Sequence, residues 1–435
     1  MNQTPMSRPS RLAPTPRPGL AASVTRSATR VIVAALSLAL LAACGSDGTD
    51  ASARVLSVPG DYATIQAAVD AGRPGDLVLV EPGIYHEAVV VDRPGLTIRG
   101  TDRNSVVLDG DSALSNGIEV TESGVSIENL TLTGYRFNGV IVNGADGEYR
   151  ADGSGSVDGY RVDYVTAYNN GLYGVYAFAA VNGTISNSYA SGHPDSGFYV
   201  GQCKPCNVVL SGLTAELNAI GYYGTNASGG VYVVESTFIA NRLGIAPNSQ
   251  DAELLAPQSE TVIAGNDVSG AGAAGAPEIP QGHFGGGIAV GGGNNNAVLR
   301  NRVVDHDAYG IGLVALGAYD PADNRVEGNL LVRNAIDLVY APGQTVAAAG
   351  NCFVDNSFSS SLPLEIEQAL PCTGSPAATP GDQPAPAVVA PPGPRSGEVP
   401  TPAPQPVMPN PVDAPALLAG PPVVPDIDAI ALPNP

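Results

Sequence analysis

The chain of 435 residues has little of what many binding and catalytic classes depend on. It has no Trp, three Met, four His and a single lysine, Lys204, and its 41 acidic residues outnumber the 20 basic ones to give a net charge of −21. DNA and RNA are polyanions that would repel such a chain, so no nucleic acid is expected as a partner. The shortage of Met and His also argues against an accessory protein that handles copper, which needs clusters of these ligands.

Long apolar runs are also scarce, and the one near the N-terminus predicts export. Residues 1–30 hold five Arg and no acid, and residues 31–43 are uncharged and too short to span a bilayer comfortably. This pattern is typical of a signal peptide. Its end, Leu41-Ala-Ala-Cys44, resembles the lipobox of bacterial lipoproteins, which implies that Cys44 is lipidated and anchors the chain to the membrane outside the cytoplasm. Plain signal-peptide cleavage beside an incidental cysteine is the alternative.

The four remaining cysteines predict two disulfides, since an even number in an exported chain usually pairs. Cys203 and Cys206 are close enough for a local clip, and the absence of a helical pattern after them argues against a thioredoxin-like redox role. Cys352 and Cys372 would tie down the end of the fold. A zinc site at the first pair would need two more nearby ligands, so no metal is assigned there.

Composition divides the chain into four parts. Residues 1–43 are the predicted lipoprotein signal peptide, and 44–54 form a short polar tether. Residues 55–372 form the body. Residues 373–435 hold 19 of the 38 Pro, which predicts an extended, disordered Pro- and Ala-rich tail.

Repeats determine the predicted fold of the body. A Gly followed by a β-branched or aromatic residue recurs with a base period of about 23 residues, and short strands separated by Asn and Gly turns lie between the repeats. Such a unit cannot bury a core alone but can when stacked. The pattern predicts an all-β, right-handed parallel β-helix with three short strands per coil. The recurring positions are Gly117, Gly139, Gly174, Gly197, Gly221, Gly244, Gly287 and Gly310.

The start of the body predicts a cap on this solenoid. Ile65, Ala68 and Val69 fall on one helical face, with Thr64 as N-cap. The opening Thr-Ile-Gln-Ala-Ala-Val…Pro-Gly-Asp-Leu-Val-Leu-Val…Leu-Thr-Ile-Arg-Gly, together with the repeats, resembles the pectate-lyase superfamily of β-helix proteins. The resemblance covers about residues 55–360 and implies the fold. It implies little about activity, because the superfamily includes lyases, hydrolases, esterases, epimerases and non-catalytic proteins.

Strand alternation predicts an outward aromatic column. The residue after each recurring Gly is apolar and points inward, so the next one points outward. Three consecutive coils place Tyr176, Tyr199 and Tyr223 there. One interpretation is a platform for sugar rings. The other is that the rings stabilise the sheet by cross-strand packing or are covered by a loop.

A polar turn lies next to this column. His193 is a candidate general base, and Asp195 would orient it or bind a cation such as Ca²⁺. The alternative is ordinary turn chemistry, which Pro-Asp-Ser-Gly also supports. Asn226 is a candidate ligand-binding side chain, although turn and ladder roles are equally typical of Asn. No other cofactor is expected.

These observations leave three functional hypotheses. The first is a lipid-anchored, monomeric β-helix protein that binds a polysaccharide or cell-envelope glycan at the Tyr column. The second is a polysaccharide lyase or epimerase that uses His193, Asp195 and a nearby Tyr. The third is a structural or accessory envelope protein. The enzyme motifs of the superfamily, including the Trp-Ile-Asp-His type of pectate lyases, are absent from this sequence.

Overall fold

The computed structural model covers most of the predicted body and tail. The predicted signal peptide and the predicted lipidation site, Cys44, lie outside the described residues. Within the described part, no helix is long and apolar enough to cross a membrane. The described residues are 53–144, 155–251, 254–278, 284–343, 350–374, 385–416, 418 and 420–434.

The body is a parallel β-helix of about twelve turns, which confirms the predicted fold. Each complete coil passes through three parallel sheets, here called A, B and C in the order in which the chain meets them. Sheet A consists of Val55–Val58, Leu77–Val80, Thr97–Gly100, Val125–Glu128, Val157–Asp163, Ala180–Ser186, Val208–Ser211, Val231–Val234, Thr261–Ala264, Ala297–Leu299, Arg325–Glu327 and Cys352–Val354. Sheet B consists of Gly83–Tyr85, Val106–Asp109, Thr131–Thr133, Thr166–Tyr168, Tyr189–Ser191, Thr214–Glu216, Thr237–Ile239, Asp267–Ser269, Arg302–Val304 and Leu330–Val332. Sheet C consists of Val89–Val91, Ile118–Val120, Val140–Asn143, Val175–Phe178, Ser196–Cys203, Ile220–Ala227, Leu243–Asn248, Gly286–Gly291, Tyr309–Val314, Leu338–Ala341 and Ser361–Leu362.

The strand register reproduces the repeat read from the sequence. The residue after each recurring Gly pairs with its counterpart in the next coil of sheet C, and each of these residues is completely buried inside the solenoid. Burial of such a continuous apolar column is the main stabilising contribution of a stacked fold. The column is Ile118, Val140, Val175, Phe198, Tyr222, Ile245, Ile288 and Ile311.

The recurring glycines are required by close approach of the backbone. A Cβ on Gly244 would lie 2.3 Å from the carbonyl oxygen of Gly287, and a Cβ on Gly287 would lie 2.6 Å from that of Gly310. Real Cβ atoms do not approach a carbonyl this closely, so a side chain at these positions would push the coils apart. Glycine therefore recurs because there is no room for a side chain where the chain enters sheet C.

Stacked polar side chains satisfy the backbone at the turns. At the turn from A to B, the amide of Asn266 donates to Asn301, and the amide of Asn301 donates to Asn329. The side chains repeat the pattern, since the Asn266 and Asn301 amide groups also donate to the next Asn. Buried turns need such partners because water does not reach them.

Both ends of the solenoid match the sequence-based predictions. The capping helix is Ile65–Ala71, and the Thr64 side chain accepts a hydrogen bond from the Ala67 amide. A second short helix, Ile366–Ala369, follows the last strands. The cysteines form the Cys203–Cys206 and Cys352–Cys372 disulfides, as predicted.

The Pro-rich tail is extended, as its composition predicts. Its described residues contain no strand or α-helix and only two short 3₁₀ helices, Ser396–Glu398 and Ile427–Ala429. These residues nevertheless lie against the solenoid with defined hydrogen bonds, among them Arg103 to the Pro406 carbonyl at 2.9 Å. Composition alone does not predict these contacts.

Candidate functional site

The outward column of sheet C brings the three predicted tyrosines together. Tyr176 pairs with Tyr199, and Tyr199 pairs with Tyr223, in successive strands. Because parallel strands keep one register, the three side chains leave the same face one above another. The prediction of an aromatic column on this face is therefore confirmed.

Two further rings join this column. The rings of Tyr176 and Tyr199 stack with centroids 4.6 Å apart, and the Tyr223 ring lies 6.1 Å from that of Tyr199. Tyr173 contacts both Tyr176 and Tyr199, at 4.6 Å and 5.2 Å. Phe178 stacks on Tyr176 at 5.7 Å with nearly parallel planes. These five residues are called the aromatic cluster. Tyr173 and Phe178 were not singled out from the sequence, although both flank the Tyr176 strand position.

Exposure differs sharply within the cluster. Tyr199 is only 3% exposed, whereas Tyr173, Tyr176, Phe178 and Tyr223 are partly exposed. The central ring therefore packs against its neighbours and has little surface for a ligand. This corrects the prediction that Tyr199 forms part of an open platform, because the packing interpretation holds at that position. The open ring surface belongs to the other members.

Asp195 is the charged residue of this site. Its Oδ2 accepts a hydrogen bond from the Tyr173 hydroxyl at 3.0 Å. Burial raises the pKa of Asp195, and the hydroxyls of Tyr173 and Ser196 partly offset this rise. Burial also raises the pKa of Tyr173, and the Asp195 charge adds to that effect. Tyr173 is thus a neutral hydroxyl that donates to the Asp195 side chain.

The opposite side of the cluster is fixed by a loop. The Gln250 side chain donates to the Tyr223 hydroxyl at 2.6 Å. Asn226 holds this loop, because its side-chain nitrogen donates to the carbonyls of Gln250 and Leu254 and its oxygen accepts from the Gln250 amide. Asn226 is completely buried. It is therefore a loop-holding residue, and this corrects its prediction as a ligand-binding residue.

His193 lies inside the solenoid at the turn from B to C. It is completely buried, its Nδ1 donates to Asn218 Oδ1 at 2.8 Å, and Asn170 Nδ2 lies 3.3 Å from its Nε2. Burial lowers the pKa of His193 to about 4. Both ring nitrogens thus serve a polar ladder between coils. This corrects the interpretation of His193 as a general base, since a substrate would not reach the ring.

A pair of substitutions tests the ladder role of His193. His193→Ala should lower the free energy of unfolding by about 3 kcal/mol, because it leaves a cavity and removes a partner from two buried amides. His193→Asn should cost only about 1 kcal/mol, since Asn fills the equivalent place at Asn170 and Asn218. Urea unfolding monitored by circular dichroism measures both. The exposed His86→Ala is the control, and equal losses for Ala and Asn at position 193 would contradict the ladder role.

A narrow apolar groove continues the site toward the later coils. Its floor is made of Ala246 and Ala289, which occupy the same outward column as the tyrosines. Small residues here leave room beside Tyr223 that large residues fill elsewhere. The lining residues are Ile220, Tyr223, Leu243, Ala246, Asn248, Ala289, Gly291, Val314 and Leu316.

Cation binding at this site stays a prediction. Among the described residues there is no group of three or more His, Cys, Asp or Glu side chains that could hold a metal ion. Asp195 is a single carboxyl group, whereas Ca²⁺ usually takes six or more oxygen ligands.

Seventy chains of solved structures resemble this one. An alginate lyase from Paenibacillus has 17% identity and a TM-score of 0.43, over 66% of this chain and 97% of that chain. The A-module of a mannuronan C-5 epimerase from Azotobacter vinelandii has 16% identity and a TM-score of 0.44, over 68% and 92%. A DFA-IIIase from Arthrobacter chlorophenolicus, without its lid, has 13% identity and a TM-score of 0.47, over 77% and 99%.

Two further comparisons use the amino-acid sequence alone. No curated protein matches it. Residues 116–277, which contain the aromatic cluster, match the family model of the right-handed β-helix region.

Proposed function

We propose that this protein is exported, anchored through a lipid on Cys44, and binds carbohydrate on the outer face of sheet C. One observation carries the binding proposal: four partly exposed aromatic rings lie within 6.1 Å of a neighbour in one cluster, beside a hydrogen-bonded carboxylate. Flat aromatic faces pack against the apolar faces of sugar rings, and nearby polar groups bind the hydroxyls.

The same chemistry favours a neutral glycan. Asp195 is a hydrogen-bond acceptor for sugar hydroxyls, and its charge would repel the carboxylate of a uronate. The formal net charge of −21 acts in the same direction at longer range. A polyuronate would need a bridging cation such as Ca²⁺. A polysaccharide of the cell envelope with many free hydroxyls therefore fits the site best.

Binding can be tested by one substitution with a matched control. Tyr176→Ala should weaken binding to a neutral glycan by about tenfold, because it removes the ring that contacts three other members of the cluster. The control is Tyr168→Ala, which removes a partly exposed Tyr from sheet B. Glycan-array screening followed by calorimetry on the purified protein measures both. Equal binding by the two variants, or no binding to any glycan, would contradict the proposal.

The enzyme hypothesis is tested in the same preparation. The purified protein is incubated with uronate and neutral glycans, with and without Ca²⁺, while unsaturated products and reducing ends are followed. Turnover that Asp195→Asn abolishes would assign the protein to the lyases or epimerases instead. If there is neither binding nor turnover, a structural or accessory role in the envelope becomes the best account.

A further inference from the structure

The tail follows a defined path along the solenoid. The Pro391 carbonyl accepts a hydrogen bond from Arg242, and the Val399 carbonyl accepts one from Asn169. Arg242 and Asn169 both lie at turns from sheet B to sheet C. Gln405 then lies at Asn104, at the turn from A to B. The path runs from later coils to earlier ones, crosses sheet B, and returns along the A side. The described residues of 385–434 are called the strap.

The returning half follows the carboxyl ends of the strands of sheet A. Arg99 donates to the carbonyls of Pro411 and Asp413 at 3.0 Å and 2.7 Å. Much later along the solenoid, Arg300 donates to the carbonyl of Ile430 at 2.8 Å. The strap therefore contacts coils that are far apart along the axis of the solenoid.

Backbone groups of the strap make most of these contacts. Five arginine side chains donate to its carbonyls, and Asn104 pairs with both the amide and the carbonyl of Gln405, at 2.8 Å and 2.9 Å. A Pro residue has no amide proton, so a Pro-rich extended chain offers mainly carbonyl acceptors. Arginine, with five N–H donors in a rigid fork, is the matching side chain. The five arginines are Arg99, Arg103, Arg161, Arg242 and Arg300.

Two of these arginines are almost completely buried, and the strap forms part of the surroundings of both. Arg103 and Arg242 are each 1% exposed. Arg103 also donates to the carbonyls of Val165 and Asn187 and to the hydroxyl of Thr166, which are uncharged acceptors. Burial lowers the pKa of Arg103 to about 10. A buried cation is costly unless its donors are satisfied, and strap carbonyls satisfy one donor on each arginine.

Two apolar side chains and one glycine fix the strap in position. Val399 is 4% exposed and Ile430 is 6% exposed, and Ile430 packs against Leu299 at the carboxyl end of a strand of sheet A. A Cβ on Gly393 would lie 2.2 Å from Arg242 Nη2 and 2.5 Å from the Ala276 carbonyl oxygen. The solenoid therefore recognises the shape and the backbone of the strap as well as its side chains.

We propose that the solenoid carries a second binding site, a groove lined by Arg and Asn that recognises an extended proline-rich chain, and that residues 385–434 are its resident ligand. This site is independent of the aromatic cluster on sheet C. Recognition through backbone carbonyls and a few apolar anchors is a known physical mode for extended peptides. The groove thus holds the tail of its own chain as an intramolecular peptide.

Cleavage of the full chain tests this proposal. A protease site is placed between residues 374 and 385, and the folded protein is cut and passed over a size-exclusion column. The strap fragment should elute with the body. It should exchange with a labelled peptide of residues 385–434, while a peptide of the same composition in scrambled order should not exchange. Immediate loss of the fragment, or equal exchange with the scrambled peptide, would overturn the proposal.

Variants within the strap itself leave the solenoid sequence intact. Gly393→Val should speed the release of the cut fragment by about tenfold, because its side chain would meet the Ala276 carbonyl. Gly397→Val is the matched control, since a Cβ there meets nothing within 4 Å. Ile430→Asp should act like Gly393→Val by removing an apolar anchor. Equal release rates for Gly393→Val and Gly397→Val would contradict the groove.

Discussion

Gly244→Ala is expected to lower the free energy of unfolding by about 3 kcal/mol, a large effect for a single added methyl group. The new Cβ would lie 2.3 Å from the Gly287 carbonyl oxygen and 2.6 Å from a methyl carbon of Val268. The first of these atoms belongs to the backbone of the next coil, which is held by its own ladder of hydrogen bonds. This oxygen cannot move away without separating two strands of sheet C.

The matched control is a glycine with the same substitution and free space. Gly275→Ala places a Cβ no closer than 3.4 Å to its nearest neighbour, an atom of Leu217, and should change the free energy of unfolding by less than about 0.5 kcal/mol. Urea denaturation followed by circular dichroism gives both values. If the two variants unfold at the same urea concentration, close approach does not explain the recurring glycines.

Much of the solenoid was readable from the sequence because a stacked fold repeats its own constraints. The apolar residue after Gly221 and the one after Gly244 both point inward, and the strand register pairs them directly. A one-residue slip would turn every such side chain outward, so the pattern fixes the register as well as the fold. The same alternation placed Tyr176, Tyr199 and Tyr223 on one face.

The site was less predictable because the direction in which a side chain points does not determine how far it is buried. Tyr199 points out of the solenoid and is still only 3% exposed, because three neighbouring rings pack against it. Its neighbour Tyr173 comes from the turn before the strand, and strand alternation does not address turns. Asn226 was a candidate ligand-binding residue, with a turn or ladder role as the alternative, and it makes hydrogen bonds to the backbone of Gln250. These contacts depend on tertiary packing between coils.

The local motif around His193 and the composition of the tail also gave an incomplete account of these two parts of the chain. A His in a Pro-Asp turn resembles a catalytic residue, yet its coil places it where other coils have Asn. The signal was present in the sequence, since Asn170 and Asn218 occupy comparable turns. For the tail, a Pro-rich segment cannot form a core of its own. It can still bind a core that offers donors, as Arg103 does.

Acid should destabilise the protein between about pH 6.5 and pH 4, through two histidines that are buried in the described part of the chain, His193 and His306. Burial lowers the pKa of His193 and of His306 from 6.5 to about 4 in each case. As the pH falls through 6.5, these imidazoles gain protons in the unfolded chain but not in the folded one. The free energy of unfolding therefore decreases, by on the order of 3 kcal/mol for each ring by pH 4.

The expected decrease in the free energy of unfolding as the pH falls comes from the two histidines, so substituting them should remove it. The double variant His193→Asn/His306→Asn should have a much flatter pH dependence in this window, because Asn does not titrate. Asp195 acts in the opposite sense, since its raised pKa favours the folded state as the pH falls. Carboxyl groups with lowered pKa values, such as Asp337, begin to lower the free energy of unfolding below about pH 5, and most of their effect comes below about pH 4. Urea midpoints measured from pH 7 to pH 4 for both proteins decide the point, and parallel curves would show that the histidines are not the cause.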